Sequence, residues 1–229
     1  MRPNNYRLNI AYNERRPCSL TGCPKHRKAL SRYCDTHART SGCYGHPLGH
    51  LIAKQKYAGH VKMARRILKR LEGHPALIAS LDVVRGLLER GEEPTKPRPL
   101  RTNARWLLWR EMTRLDDVTP QEVLATVVGV WLFSHFQPRV LPSDARLTFM
   151  LGQAVLRLRP LAVIESHYDP STGKVDNDYR PPPGRAVGLI GGRVRRLLSP
   201  FFANICVLVE KEHQENAARA AALRTPLSA

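Results

Sequence analysis

Acidic residues are scarce in this chain. It holds 19 Asp+Glu among 229 residues against 37 Lys+Arg, which leaves a formal net charge of +18 and a sequence pI of about 10.4. The few carboxylates are scattered along the chain rather than gathered, so no acidic cluster for two-metal catalysis is visible. Long hydrophobic runs are missing too. The longest apolar stretch, Val123 to Phe136, falls short of the ~20 residues a membrane-crossing helix needs. No apolar segment follows the start Met1-Arg2-Pro3-Asn4-Asn5-Tyr6-Arg7, so no secretory leader is expected. A Gly-x4-Gly-Lys phosphate loop is also absent, because Gly188-Leu189-Ile190-Gly191-Gly192 lacks the lysine. The histidine pairs of a His-Asn-His nuclease do not occur, and His135-Phe136-Gln137-Pro138-Arg139 has the wrong spacing for a tyrosine recombinase. Catalysis is therefore not expected. With 42% hydrophobic residues the chain is neither collagen-like nor wholly disordered, and it is long enough to bury a core.

The positive charge is concentrated at one end. Residues 1–72 carry 16 Lys+Arg and 3 Asp+Glu, a net +13, and the remaining 157 residues supply only +5. A polyanionic partner, nucleic acid before an anionic membrane surface, is to be sought by the first third.

Four of the five cysteines fall within 26 residues: Cys18, Cys23, Cys34 and Cys43, with Cys206 far away in an apolar run. In a reducing cytoplasm, the expected location, clustered thiols read as metal ligands before disulfides. The segment Cys18-Ser-Leu-Thr-Gly-Cys23 followed, after ten residues, by Cys34-Asp-Thr-His37 gives Cys-x4-Cys and Cys-x2-His. Each half supplies two soft or borderline ligands on a tight turn, and together they make a closed tetrahedral set for a structural Zn2+ ion. Gly22 lets the first turn close tightly. His26, Cys43, His46 and His50 read as surface or small-core residues, although one of them could stand in for His37 as the fourth ligand.

With Cys18, Gly22-Cys23, Tyr33-Cys34-Asp-Thr-His37, Arg39 and Gly45-His46-Pro47 in place, residues 17–52 resemble a small zinc-binding module of bacteriophage and mobile-element proteins. The resemblance implies a zinc finger of the sort that accompanies nucleic-acid-binding or nuclease domains. It does not reach residues 100–229.

The rest of the chain predicts helices. Residues 1–16 read as a basic arm without clear periodicity, and 17–52 as the finger. A basic helical pair spans 53–91. Its first helix, about Ala58–Leu71, sets Val61, Ala64, Ile67, Leu68 and Leu71 on one face and Lys62, Arg65, Arg66, Lys69 and Arg70 on the other. Those five cations have no carboxylate among them to compensate at i,i+4 spacing, which favours a phosphate-facing role. Its second helix runs over about Pro75–Arg90. Residues 92–99, with three alternating prolines, read as an extended linker.

A helical body follows over 100–229, with helices at Thr102–Leu115, at Pro120–Phe136 behind a Thr119…Glu122 capping box, and at Ser143–Arg159. A loop with room for a short hairpin spans His167–Gly184, and Ser199-Pro200 opens a final helix. The tryptophans sit among leucines and read as core. The expected fold is mainly α, a small N-terminal zinc finger followed by a multi-helix body that folds without it.

These observations lead to a zinc-dependent DNA-binding accessory or regulatory protein of a phage or mobile element, not an enzyme. Duplex DNA would be held by Arg27, Lys28, Arg32 and Arg39 of the finger and by Lys62, Arg65, Arg66, Lys69 and Arg70 of the helix. The helical body is a candidate surface for a second copy or a protein partner, and no membrane partner is expected. An RNA-binding protein, a diverged zinc-finger-associated nuclease and a protein-interaction scaffold are the alternatives. The location expected is the bacterial cytoplasm, at the nucleoid when DNA is bound.

Overall fold

A computed structural model of the chain describes residues 3–89, 94, 104–159, 162–169, 171, 173–180 and 182–224. Helices dominate them: α1 (Pro3–Glu14), α2 (Asp35–Tyr44), α3 (Lys54–Arg70), α4 (Pro75–Leu88), α5 (Ala104–Met112), α6 (Pro120–Phe136), α7 (Asp144–Leu156) and α8 (Gly184–Arg224). Strands β1 (Ala162–Asp169) and β2 (Lys174–Arg180) form one antiparallel hairpin. The fold is mainly α. No helix among the described residues is long and apolar enough to cross a membrane. The expected linker at 92–99 lies outside the described residues except for Pro94, as do residues 100–103.

Helix α6 is the axis of the molecule. Thr119 Oγ1 accepts from the Glu122 N–H and Glu122 Oε2 from the Thr119 N–H, both at 3.2 Å, and Pro120 holds the first helical position. Every residue from Val123 to Val130 is buried, as are Leu132 and Phe133. A helix apolar all round must be surrounded. Helices α3, α4, α7 and α8 do this, adding Tyr57, Ala64 and Ile67 from α3, Leu77 and Val84 from α4, and a row along α8 to one continuous core. The basic helical pair and the body thus share that core.

Two crossings depend on glycine as a spacer. A methyl group at Gly129 would collide with Val61 of α3. One at Gly191 would land on the Thr148 carbonyl of α7, and one at Gly152 on the Val187 carbonyl of α8. The Gly188–Gly192 stretch is therefore a helix-crossing surface inside α8.

Three elements differ from expectation. The arm has no sequence periodicity, yet residues 3–14 form α1. The 167–184 segment is mostly hairpin, with its first strand starting at Ala162 and Gly173 taking a positive φ of 65° at the turn. The last helix starts at Gly184, fifteen residues before Ser199, and Pro200 lies inside it. The reason is burial: Val187, Ile190, Val194, Leu198, Phe202, Ile205 and Val209 form one buried stripe on both sides of the proline. Packing of that stripe, at about 1.5–3 kcal/mol per large side chain, outweighs the ~3 kcal/mol that an interior proline costs a helix.

Candidate metal centre and basic surface

The metal-centre segment folds as two short ribbons and the start of a helix. The Cys18 N–H donates to the Lys25 carbonyl at 2.9 Å and the Cys23 N–H to the Leu20 carbonyl at 3.1 Å, closing the first turn. Gly22 takes a φ of +80° there, in open space, so it is the backbone conformation and not crowding that calls for glycine. The Ser19 N–H donates to Arg32 and the Lys28 N–H to Tyr33, which brings the second half of the segment beside the first. Cys34 is then the N-cap of α2, and His37 lies in its first turn. A thiolate at a helix N-terminus faces the positive end of the helix dipole.

These turns gather Cys18, Cys23, Cys34 and His37 into one cluster, with all four ligand atoms within 4.8 Å of one another. Cys18 Sγ lies 3.6 Å and Cys34 Sγ 3.2 Å from His37 Nδ1, and Cys23 Sγ lies 3.9 Å from Cys34 Sγ. A tetrahedron built on metal–ligand bonds of about 2.0–2.3 Å has edges of about 3.3–3.8 Å. These three separations, 3.2–3.9 Å, lie close to that range. Burial pushes the Cys18 thiol up, but hydrogen bonds from the Leu20 and Cys34 backbone, His37 and Cys23 outweigh it and bring it down to about 6. Cys23 has a backbone hydrogen bond from Lys25 that lowers it, yet burial and the thiols of Cys18 and Cys34 leave it raised. A divalent metal between the thiols would offset the repulsion that raises Cys23. The four side chains can therefore hold a metal ion, and sulfur with imidazole nitrogen suits a soft or borderline one.

Compared with known proteins, the chain matches no family model, no curated protein and no solved structure.

The other candidate ligands have different surroundings. His26 Nδ1 lies 3.2 Å from the Arg15 carbonyl, and His46 Nδ1 accepts from the Leu48 N–H at 3.2 Å. Cys43 and His50 are exposed, and their carbonyls accept hydrogen bonds from α7. Cys206 is buried in the core, where burial pushes its thiol up.

The predicted cations lie on three elements. On α3, Lys62, Arg65, Arg66, Lys69 and Arg70 are all exposed, opposite buried Ala64 and Ile67. Lys62, Arg65, Arg66 and Lys69 have no ion-pair partner among the described residues. Arg39 is exposed on α2, and Lys28 and Arg32 are exposed on the ribbons, Arg32 with its guanidinium 5.9 Å from the Tyr33 ring centre. Arg27 differs. Its guanidinium donates to the Pro17 carbonyl, Asn13 Oδ1 and Ser19 Oγ at 3.0–3.2 Å, so it ties α1 and the two ribbons together.

Sequence reasoning missed the residues that hold the finger on the body. Arg146 of α7 is 4% exposed and donates to the carbonyls of Tyr44, at 2.7 Å, and His50. Arg157 donates to the Ile52 carbonyl at 3.1 Å, and Gln153 to that of Cys43 at 3.4 Å. Burial lowers the pKa of Arg146, and the two carbonyls partly solvate its charge. Nothing in the spacing of α7 marks an arginine as buried.

Proposed function

We propose that Cys18, Cys23, Cys34 and His37 hold one structural Zn2+ ion, and that the chain is a zinc-stabilised DNA-binding protein. Zinc is the metal most often bound by four such ligands with no position left open, and binding it supplies the folding energy that so small a segment cannot draw from a core. The observation that carries DNA binding is the outer face of α3. Four exposed cations without ion-pair partners among the described residues stand on a helix whose opposite side is fixed in the core, so the charge is presented rigidly. Lys28, Arg32 and Arg39 add phosphate contacts from the finger. The accessory or regulatory role in a phage or mobile element rests on the resemblance of residues 17–52. The reading is non-enzymatic, with supercoiled plasmid and Mg2+ or Mn2+ left uncut.

The test is a titration of duplex DNA, single strand and RNA against salt. Each neutralised phosphate contributes about −0.9 to the slope of log affinity against log salt, so about five contacts give a slope of roughly −4.5 for duplex. Arg65→Ala with Arg66→Ala is expected to flatten it by up to about 2 without loss of fold, since both side chains are exposed. An unchanged slope would sink α3 as the phosphate-binding face.

A further inference from the structure

Helix α1 has no packing of its own to justify it. Among the described residues it lies along no other helix or strand to more than a marginal extent. Among the described residues its hydrogen-bonded anchors are at its C-terminal end, where Asn13 Nδ2 donates to the carbonyls of Ala29 and Ser31, both at 2.7 Å, and Glu14 accepts from the Ala29 N–H at 3.0 Å. Arg27 donates to Asn13 from below at 3.2 Å. The metal-binding ribbons therefore grip the end of α1 and point the rest of it outward.

Asn5, Leu8, Asn9 and Tyr12 stand at i, i+3, i+4 and i+7, the spacing of one helix face. On a packed helix this face would be apolar and buried. Here all four residues are exposed, Leu8 at 66% and Tyr12 at 69%, and two of them are amides. Arg7 on α1 and Arg15 and Arg16 just past its end outnumber the single carboxylate of Glu14, so the element is attracted to a polyanion. A lipid surface fits poorly, since both amides would sit unpartnered on the buried face. The major groove fits well. It admits a helix, and 12 residues at 1.5 Å each give a rod of about 18 Å, long enough to lie in it. Asparagine can pair with N6 and N7 of adenine, and an apolar side chain meets the thymine methyl group.

We propose that α1 is the sequence-reading helix of this protein: held out by the metal-binding ribbons, it enters the major groove of duplex DNA and reads A·T pairs through Asn5 and Asn9, with Leu8 and Tyr12 beside them. This rests on the DNA-binding reading above and adds to it a division of work, with α3 holding phosphates and α1 reading bases.

The experiment selects bound duplexes from a random pool with the full-length chain, then measures its affinity for the enriched and a shuffled duplex. The expected motif has adenine at one or two fixed positions. Asn5→Ala with Asn9→Ala is expected to lower the enriched-to-shuffled affinity ratio roughly tenfold or more, leaving affinity for shuffled duplex and the salt slope unchanged. Alanine is the stronger helix former, so melting of α1 would not explain such a loss. Asn9→Gln, which keeps the amide chemistry, is expected to retain part of the ratio. An unchanged ratio, an equal loss on both duplexes, or tight binding with no enriched motif overturns α1 as the reader while DNA binding stands. Failure of the unaltered chain to bind duplex, or a preference for RNA, overturns both.

Discussion

His60 sits at the boundary of the core with its Nδ1 buried and no hydrogen-bond partner among the described residues. Its ring is edge-on to Phe133 at 5.5 Å and stacked with Phe136 at 6.0 Å, and burial lowers its pKa. The folded chain thus favours the neutral imidazole. Below the ordinary value of about 6.5 the unfolded chain takes up a proton that the folded chain resists, so stability falls as pH drops through that range. His60→Phe is expected to remove this acid sensitivity, and the difference in melting temperature between variant and parent should widen from pH 8 to pH 5.5. A constant difference would place the acid-sensitive group elsewhere. At the metal centre, Cys34→Ser is expected to abolish zinc binding, because Cys34 Sγ is near both Cys23 and His37 in the cage. Zinc content by elemental analysis checks it, and full occupancy in the variant would rule out the ligand set. The grouping of Cys18, Cys23, Cys34 and His37 was legible in the sequence because ligand spacing is local, set by two turns and a helix start. His37 was selected over His46 from the Cys34-x2-His37 spacing, and α2 starting at Asp35 sets His37 beside the three thiols while His46 accepts from the Leu48 N–H.

Elements whose ends are set by local chemistry were legible: α6 from its capping box and Pro120, and α7 from Ser143, whose Oγ accepts from the Arg146 N–H at 3.3 Å. The face of α3 was legible because its apolar and basic positions separate cleanly at helical spacing. Helix α8 was not, because Ser199-Pro200 is a local start signal overruled by a distant one, the stripe packed against α6 and α7. Helix α1 was not legible for the opposite reason: it has no apolar stripe, and its end is tied down by side-chain hydrogen bonds from residues 13 and 14 to residues 29 and 31. Two substitutions test the balance in α8. Pro200→Ala restores a missing backbone hydrogen bond at an exposed position and is expected to stabilise by about 1–3 kcal/mol, raising Tm by several degrees. Gly191→Ala sets a methyl on the Thr148 carbonyl and is expected to destabilise by about 3 kcal/mol or more as the helices are forced apart. Thermal melting of both reads the two effects directly, and a neutral Gly191→Ala would mean that the α7–α8 crossing is looser than the backbone approach implies.

At the scale of the whole chain, one core runs from Ile52 to Val209, and the metal centre lies outside it. The segment between them, residues 44–52, is fixed to α7 by Arg146 and Arg157. That arrangement sets where the chain can be cut. A fragment of residues 100–229 lacks Ile52, Tyr57, Ile67, Leu77 and Val84, all buried in the shared core. At about 1.5–3 kcal/mol each, their loss is on the order of 10 kcal/mol. The entire stability of a domain is about 5–15 kcal/mol, so this fragment is expected to remain without a cooperative melt. A fragment of residues 44–229 keeps all five, together with the carbonyls that Arg146 needs, and is expected to melt cooperatively with no metal present. In the full chain, a chelator should then unfold residues 16–43 while leaving the main melting transition in place. Arg146→Leu leaves the Tyr44 and His50 carbonyls without their donor, at about 1–3 kcal/mol each. It is expected to retain bound metal and to expose residues 38–52 to protease. Loss of metal and of the main transition together, on adding chelator, would show instead that the finger and the helical core fold as one unit.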